Sequence, residues 1–262
     1  MQINNSVSML TTQRAMSSAG KDMTEAMERL ATGTKIENLE NLKKEFPTVK
    51  ILKFDISDHD KIEEFIENAN SELKGLDVLV NNVGDYRPLV RFLDSSPSSW
   101  KEMYDINLHH IFLVTHAFLQ SMVDNGGGSI INIHSVEGMR GYPGDPIYGA
   151  MKAAVGHFST CLAAEFGRKG IRVNGMGVDL TQTPQVDYIS GYEDVDHLWE
   201  AWAPVGRLGW PEDQARVALF LASDISAFVT GHNIPVDGGS HASGGWFFSP
   251  QAKRFVNRPK TL

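Results

Sequence analysis

Tyr148 and Lys152 stand four residues apart in the segment PIYGAMKAAV, a spacing that could support proton exchange with a substrate oxygen. On a helix this spacing places both side chains on one face, one turn apart. An ordinary tyrosine has a pKa of about 10, and a nearby ammonium favours its phenolate form. The pair therefore predicts acid–base chemistry of the kind needed to oxidise an alcohol or reduce a carbonyl. Taken alone, the same spacing is more often found in a surface pair.

Short apolar runs alternate with helical patterns from Val49 onward, and together they form the frame that must position this pair. The runs predict strands at VKILKFDIS (49–57), LDVLVNNVG (76–84), GSIINIHS (128–135), IRVNGMGV (171–178) and NIPVDGG (233–239). Helices are predicted at 60–74, 98–124 and 146–168, with another that begins at Trp210 and Pro211. This order predicts an α/β fold, with a doubly wound parallel sheet in a single domain.

Ser135 ends one of these predicted strands, thirteen residues before Tyr148. The strand end IINIHS, the loop with Gly138 and Gly141, and the Y-x-x-x-K helix together resemble the short-chain dehydrogenase/reductase family. Four further segments resemble segments of the same family: VNNVG (80–84), FDIS (54–57), DINL (105–108) and 206–239. The resemblance covers about residues 49–239 and implies a Rossmann-like fold.

The resemblance also implies a role for each site residue. Tyr148 would act as general acid or base, and Lys152 would lower its pKa and hold a ribose. Ser135 would orient the substrate oxygen, and Asn107 would hold a water in a proton relay. Contacts with NAD or NADP are implied at Asp55, Ile56, Asn82, Val83, Gly84, Tyr148, Lys152, Val178 and Thr183.

Several polar residues near these motifs have simpler structural roles available. Asn81 could be a strand-end cap as readily as a functional group, whereas a cofactor-side position is favoured for Asn82. His134 is expected to pack within its strand. His109 and His110 have no further metal ligands at a matching spacing, so no metal site is predicted.

The chain departs from the family at its N-terminus. The glycine-rich motif that normally cradles the dinucleotide pyrophosphate is absent, so the first β-α-β unit is expected to be degenerate or missing. SVSMLT (6–11) is the one candidate for the first strand, and 22–31 and 36–46 predict two short helices. Residues 1–47 are therefore described as an atypical helical N-terminus, 49–239 as the family-like core and 240–262 as a C-terminal extension.

A second departure lies after the predicted strand 171–178. The family usually has Pro-Gly at the positions of Val178 and Asp179. Because Asp179 adds a negative charge near the expected cofactor, it is expected to oppose binding.

Composition narrows the classes of partner. The net charge of −8 and the lack of a Lys/Arg cluster argue against nucleic acid. No secretory signal or membrane span is evident, and the single cysteine, Cys161, favours a reducing compartment, so a cytoplasmic protein without a membrane partner is expected. The resemblance implies a homodimer or homotetramer paired through helices 98–124 and 146–168.

The leading hypothesis is an NAD(P)-dependent oxidoreductase that interconverts an alcohol and a ketone or aldehyde. The missing glycine motif favours an alternative, a binding or scaffold protein that has lost the cofactor. A cofactor-independent enzyme like the halohydrin dehalogenases, which resemble the family, is disfavoured because those proteins have arginine at the position of Lys152.

The small-molecule substrate is not identified, although 184–205 offers four aromatic residues: Tyr188, Tyr192, Trp199 and Trp202. Lys35 is a candidate partner for the 2′-phosphate of NADP, although a solvated surface lysine is the favoured interpretation.

Overall fold

The computed structural model describes residues 43–44, 46–52, 54–56, 58, 61–73, 75–86, 88–183 and 202–244, with the backbone of 247–249 and 254–256. The predicted strand 6–11, the helix 22–31 and most of the helix 36–46 lie outside the described residues. The helices are α1 (Ile62–Glu72), α2 (Pro97–Tyr104), α3 (His110–Asp124), α4 (Pro146–Phe166) and α5 (Pro211–Ala222). The strands are β1 (Val78–Asn81), β2 (Gly128–Ser135), β3 (Ile171–Val178), β4 (Asn233–Val236), β5 (Phe247–Ser249) and β6 (Arg254–Val256).

Four parallel strands form the main sheet of the described residues, in the order β1-β2-β3-β4. The register pairs Asn81 with Asn132, Ser135 with Val178 and Val178 with Val236. Because the strands are parallel, their carboxyl ends meet at one edge of the sheet, which we call the carboxyl edge. Ser135 and the residues that follow the other strands therefore share this edge.

Helices cover both faces of the sheet, as the predicted doubly wound fold requires. On one face, Leu119 and Met122 of α3 pack with Leu162 of α4 around Ile130 of β2. On the other face, α5 packs on the next residue of the same strand, Ile131. Successive residues of a strand point to opposite faces, so an apolar strand such as β2 supplies both layers of the core.

The prediction of a strand at 49–57 is wrong. The described residues of that segment form no strand, and Phe54 instead stacks on Phe65 of α1 with ring centroids 4.7 Å apart. Ile56 packs against the apolar cluster formed by α1 and α3. A strand needs a neighbour to pair its backbone N–H and C=O groups, and the described sheet has none beyond β1.

Other boundaries differ from the sequence prediction in smaller ways. Strands β1 and β4 are shorter than predicted, and the helix predicted at 98–124 is interrupted by a π-helical turn, Asp105–His109. Strands β5 and β6 form an antiparallel pair that the sequence did not predict, because the tail shows no usable period. No helix in the described part of the chain is long and apolar enough to cross a membrane.

A buried polar network joins β1 and β2 to two helices. The side-chain amide of Asn81 donates to the side chains of Thr115 at 3.0 Å and Asn132 at 2.8 Å. Asn132 in turn donates to the hydroxyl of Ser159 in α4 at 2.8 Å. Since Asn81 and Asn132 are partners in the strand register, a slip between β1 and β2 would break the hydrogen bond between them in the core. Asn81, the last residue of β1, is therefore a buried member of this network.

Replacing Asn132 with alanine should lower the free energy of unfolding by about 2 to 3 kcal/mol, because buried polar partners lose a hydrogen bond and a cavity remains. Urea denaturation of the full chain measures this loss. Asn68→Ala, on the exposed side of α1, is the matched control and should change stability by less than about 0.5 kcal/mol. Equal effects of the two substitutions would contradict a structural role for the network.

Candidate active site

Tyr148 lies in the first turn of α4, whose start is set by Asp145 and Pro146. One carboxylate oxygen of Asp145 accepts from the backbone N–H groups of Ile147 at 3.0 Å and Tyr148 at 3.1 Å. Pro146 occupies the first helical position, where its missing N–H leaves no hydrogen bond unmade. The other oxygen of Asp145 accepts from Val90 N at 3.4 Å. Asp145 therefore fixes the helix start that carries Tyr148 and joins it to the loop after β1.

Lys152, one turn further along α4, is a buried cation. Its Nζ lies 5.6 Å from the ring centroid of Tyr148, so the predicted pair is brought together. The residue is 5% exposed, and no described carboxylate forms a salt bridge with it. Burial lowers the pKa of Lys152 to about 8, an effect that the charge of Asp85 partly opposes.

Asn107 reaches this group from the π-helical turn. Its side-chain amide donates to the backbone oxygens of Asp85 at 2.7 Å and Met103 at 3.2 Å, which leaves its buried Oδ1 without a hydrogen-bond partner among the described residues. A Cβ at Gly84 would lie 2.6 Å from Lys152 Nζ and 2.9 Å from Asn107 Oδ1. Any larger residue would displace these side-chain ends, so the small size of Gly84 lets the loop after β1, Asn107 and Lys152 converge. The widened turn of a π-helix is common at functional sites.

The loop after β2 packs directly on α4. A Cβ at Gly138 would lie 2.5 Å from the backbone of Lys152 and Ala153, and one at Gly149 would lie 3.2 Å from the carbonyl oxygen of Glu137. Both glycines permit this close approach. The Ser135 hydroxyl donates to Val178 O at 3.3 Å and accepts from Glu137 N at 3.1 Å. Ser135 is therefore tied to the carboxyl ends of both β2 and β3.

Two further tyrosines flank Tyr148. Tyr142 meets its ring edge to face with centroids 5.8 Å apart, and Tyr86 does so at 6.4 Å. The rings come from the loops after β2 and β1. They form aromatic walls on either side of the candidate proton-transfer residue.

The residues predicted to contact the cofactor are spread along the carboxyl edge. Asn82 and Val83 follow β1 and are exposed. Val178 ends β3, and Thr183 lies in the half-buried segment that follows it. Asp55 and Ile56 belong to the irregular segment before α1, where Asp55 is exposed. The described contacts bring together Gly84, Asn107, Tyr148 and Lys152 and join Ser135 to Val178, whereas Asp55 and Ile56 lie beside α1.

Asp179, whose negative charge was expected to oppose cofactor binding, is paired with a cation. Arg140 Nη2 lies 3.4 Å from its carboxylate, and the same guanidinium forms two hydrogen bonds with Glu137, at 2.8 and 3.3 Å. Arg140, Glu137 and the helix cap Asp145 were not among the residues predicted for the site. The Asp-Pro pair before α4 is a recognisable cap signal, but nothing in the sequence shows that Arg140 reaches Asp179.

The histidines play no part in a metal site among the described residues. No described group of His, Cys, Asp and Glu side chains is arranged to hold a metal ion. His134 is buried in β2, and burial lowers its pKa to about 4, which leaves the imidazole neutral.

The described residues fit the nicotinamide and ribose portion of a dinucleotide. Lys152 offers a buried ammonium that no described carboxylate pairs, and Asn107 offers a buried amide oxygen without a described partner. Gly84 leaves the space between them unobstructed by a side chain. A ribose hydroxyl can accept from such an ammonium and donate to such an oxygen.

Lys152→Met should stabilise the protein at pH 7, by an amount on the order of 3 kcal/mol, because it removes the penalty of a buried charge. Between about pH 8 and 10.5 the unfolded chain binds more protons at this lysine than the folded chain does, so the stability of the unsubstituted protein rises with pH. The advantage of the variant should therefore shrink over that range. Urea denaturation at several pH values measures it, with the exposed Lys169→Met as control. A gap independent of pH would contradict the assignment.

Comparisons with known proteins agree with this geometry. A family model described as enoyl-(acyl carrier protein) reductase matches residues 14–241. A 3-oxoacyl-(acyl-carrier-protein) reductase of Chlamydia trachomatis is 37% identical over 185 residues, which cover 71% of this chain and 73% of that protein.

Solved structures are also similar. A short-chain type dehydrogenase/reductase from Mycobacterium ulcerans superposes with a TM-score of 0.71 at 26% identity, covering 79% of this chain and 78% of that one. A gluconate 5-dehydrogenase from Burkholderia cenocepacia, in complex with NADP and tartrate, also gives 0.71, at 28% identity, with 79% and 83% covered. The chain therefore belongs to the short-chain dehydrogenase/reductase family of NAD(P)-dependent oxidoreductases.

Proposed function

We propose that the chain interconverts a ketone and a secondary alcohol with NAD(P), using Tyr148 as the proton-transfer residue. The observation that carries the proposal is the buried ammonium of Lys152 beside the Tyr148 ring, 5.6 Å from its centroid. A buried cation that no described carboxylate pairs is unfavourable for folding, so its position next to a phenol supports a chemical role.

In the direction of reduction, the Tyr148 hydroxyl donates its proton to the carbonyl oxygen of the substrate. Bound NAD(P)H supplies the hydride that the carbonyl carbon accepts. Ser135 exchanges its hydrogen bond with Val178 O for one to the substrate oxygen, which orients the carbonyl. The Lys152 ammonium stabilises the tyrosinate left after proton transfer and holds a ribose hydroxyl. Asn107, as the resemblance implies, holds the water through which the proton is replaced.

The remaining cofactor contacts follow the carboxyl edge of the sheet. The nicotinamide half of the cofactor would contact residues after β1 and at the end of β3: Asn82, Val83, Gly84, Val178 and Thr183. Asp55 and Ile56 would contact the adenine, as the resemblance implies. The choice between NAD and NADP is tested with both, because the 2′-phosphate candidate Lys35 lies outside the described residues.

Among candidate substrates, 3-oxoacyl thioesters come first. The relative named 3-oxoacyl-(acyl-carrier-protein) reductase matches 71% of the chain at 37% identity. Tyr86 and Tyr142 wall the space beside Tyr148 with aromatic surface, which suits an apolar acyl chain.

We also propose a homodimer or homotetramer formed through α3 and α4. Phe112 of α3 and Phe158 of α4 meet edge to face, with ring centroids 4.7 Å apart. Both rings are partly exposed where the two helices adjoin, and they add apolar surface to a helix pair that the family resemblance places between subunits.

Tyr148→Phe should lower kcat/KM for NADPH-dependent or NADH-dependent reduction of acetoacetyl-CoA by about 10² to 10⁴, because the ring remains and only the proton donor is lost. Absorbance of the reduced cofactor measures the rate. The Kd for the cofactor should stay within about twofold, since Lys152 is intact. Tyr104→Phe, whose ring stacks on His109 outside the site, is the matched control. Unchanged turnover in the Tyr148 variant would exclude the assigned role.

A further inference from the structure

A cluster of charged and polar side chains lies beyond the ends of three strands at the carboxyl edge. It consists of Glu137 and Arg140 after β2, Asp179 after β3, and Asp237 and Ser240 after β4, and we call it the edge cluster. The side chains of Glu137, Arg140 and Asp179 are 9%, 8% and 5% exposed. A buried ionic arrangement of this kind is held by its own contacts rather than by solvent.

The guanidinium of Arg140 bridges two carboxylates of this cluster. Nε and Nη2 donate to Glu137 at 3.3 and 2.8 Å, and Nη2 also lies 3.4 Å from Asp179. Ser240 donates to the same oxygen of Asp179 and also contacts Asp237 at 3.3 Å. The cluster therefore contains three carboxylates and one cation. Removing Arg140 would leave two buried carboxylates without a countercharge in the cluster.

The cluster joins the two loops that bear the active-site residues. Glu137 N donates to the Ser135 hydroxyl, so the Arg140–Glu137 pair braces the loop after Ser135. The second carboxylate oxygen of Asp179 accepts from Leu180 N at 2.8 Å, and Asp179 O accepts from the Thr181 hydroxyl at 2.9 Å. Asp179 thus shapes the turn that leads from Val178 to Thr183, the proposed cofactor segment.

We propose that Arg140 is a positioning residue that bridges Glu137 and Asp179 and thereby holds the loop after Ser135 against the segment that leads to Thr183. Asp179 introduces a charge and an anchored turn where the family usually has glycine. Arg140 offsets part of that charge, which would otherwise repel a nearby anionic dinucleotide. The inference rests on the proposed function, because Val178–Thr183 is a cofactor segment only under that proposal.

The test compares Arg140→Met, Asp179→Asn and the double variant with the unsubstituted protein. Fluorescence titration with NADPH and NADH should give a Kd about tenfold higher for Arg140→Met, because Asp179, without its countercharge, then repels the anionic cofactor and no longer holds the two loops together. The Asp179→Asn substitution added to Arg140→Met should bring the Kd back to within about threefold, since it removes that charge. Arg216→Met, an exposed arginine 3.6 Å from Asp213, is the matched control and should bind as the unsubstituted protein does.

Hydrogen exchange of the cofactor-free protein provides a second readout that does not depend on binding. Arg140→Met should speed amide exchange in 136–141 and 179–183 and leave α5 unchanged, and the double variant should recover part of the protection. An unchanged Kd and unchanged exchange in Arg140→Met, or a loss that Asp179→Asn does not relieve, would overturn the inference. Failure of the unsubstituted protein to bind either cofactor would refute the proposed function, while the exchange data would still decide whether Arg140 couples the two loops.

Discussion

The burial of one ammonium group, that of Lys152, governs the organisation of the candidate active site. A lysine inside a protein without a carboxylate partner is unstable in its charged form, and here burial lowers its pKa to about 8. The surroundings keep it in place: α4 carries it beside Tyr148, and Gly84 leaves space for it. Asn107 turns an oxygen that has no partner among the described residues toward the same space. Burying this charge costs folding free energy, but the same cation can stabilise a tyrosinate and bind a ribose hydroxyl.

The parallel sheet makes this arrangement possible by collecting loops at one edge. The Asn81–Asn132–Ser159 network fixes the register of β1 and β2 and their contact with α4, so the loops that follow those strands start from defined positions. Close glycine contacts then bring the loop after β2 onto α4. Beyond the strand ends, Arg140 and Asp179 join the Ser135 side of the site to the Val178 side. Buried, paired polar groups therefore position the loops that carry the candidate active-site residues.

The sequence predicted the family, the α/β fold and the proximity of Tyr148 and Lys152, because strand periodicity and the four-residue spacing on a helix are local signals. The strand predicted at 49–57 failed because a strand depends on a neighbour elsewhere in the chain. The pairing of Asp179 could not be predicted for a similar reason: its countercharge, Arg140, lies 39 positions away in sequence. The π-helical turn at Asn107 leaves no distinct periodic signal. Strand pairing and ion pairing between distant residues depend on tertiary contacts, so the sequence alone did not predict them.

If a bound nicotinamide cofactor contacts the buried ammonium of Lys152, binding should change the protonation of that group. Isothermal titration calorimetry at about pH 8, in buffers with different ionisation enthalpies, tests it directly with NADPH and NADH. Near its lowered pKa, Lys152 is partly deprotonated, and acceptor oxygens of the cofactor favour its charged form, so binding should take up protons. We expect the protein to take up protons when the cofactor binds, and we expect this uptake to disappear in Lys152→Met. No binding of either cofactor, or the same uptake in both proteins, would contradict it.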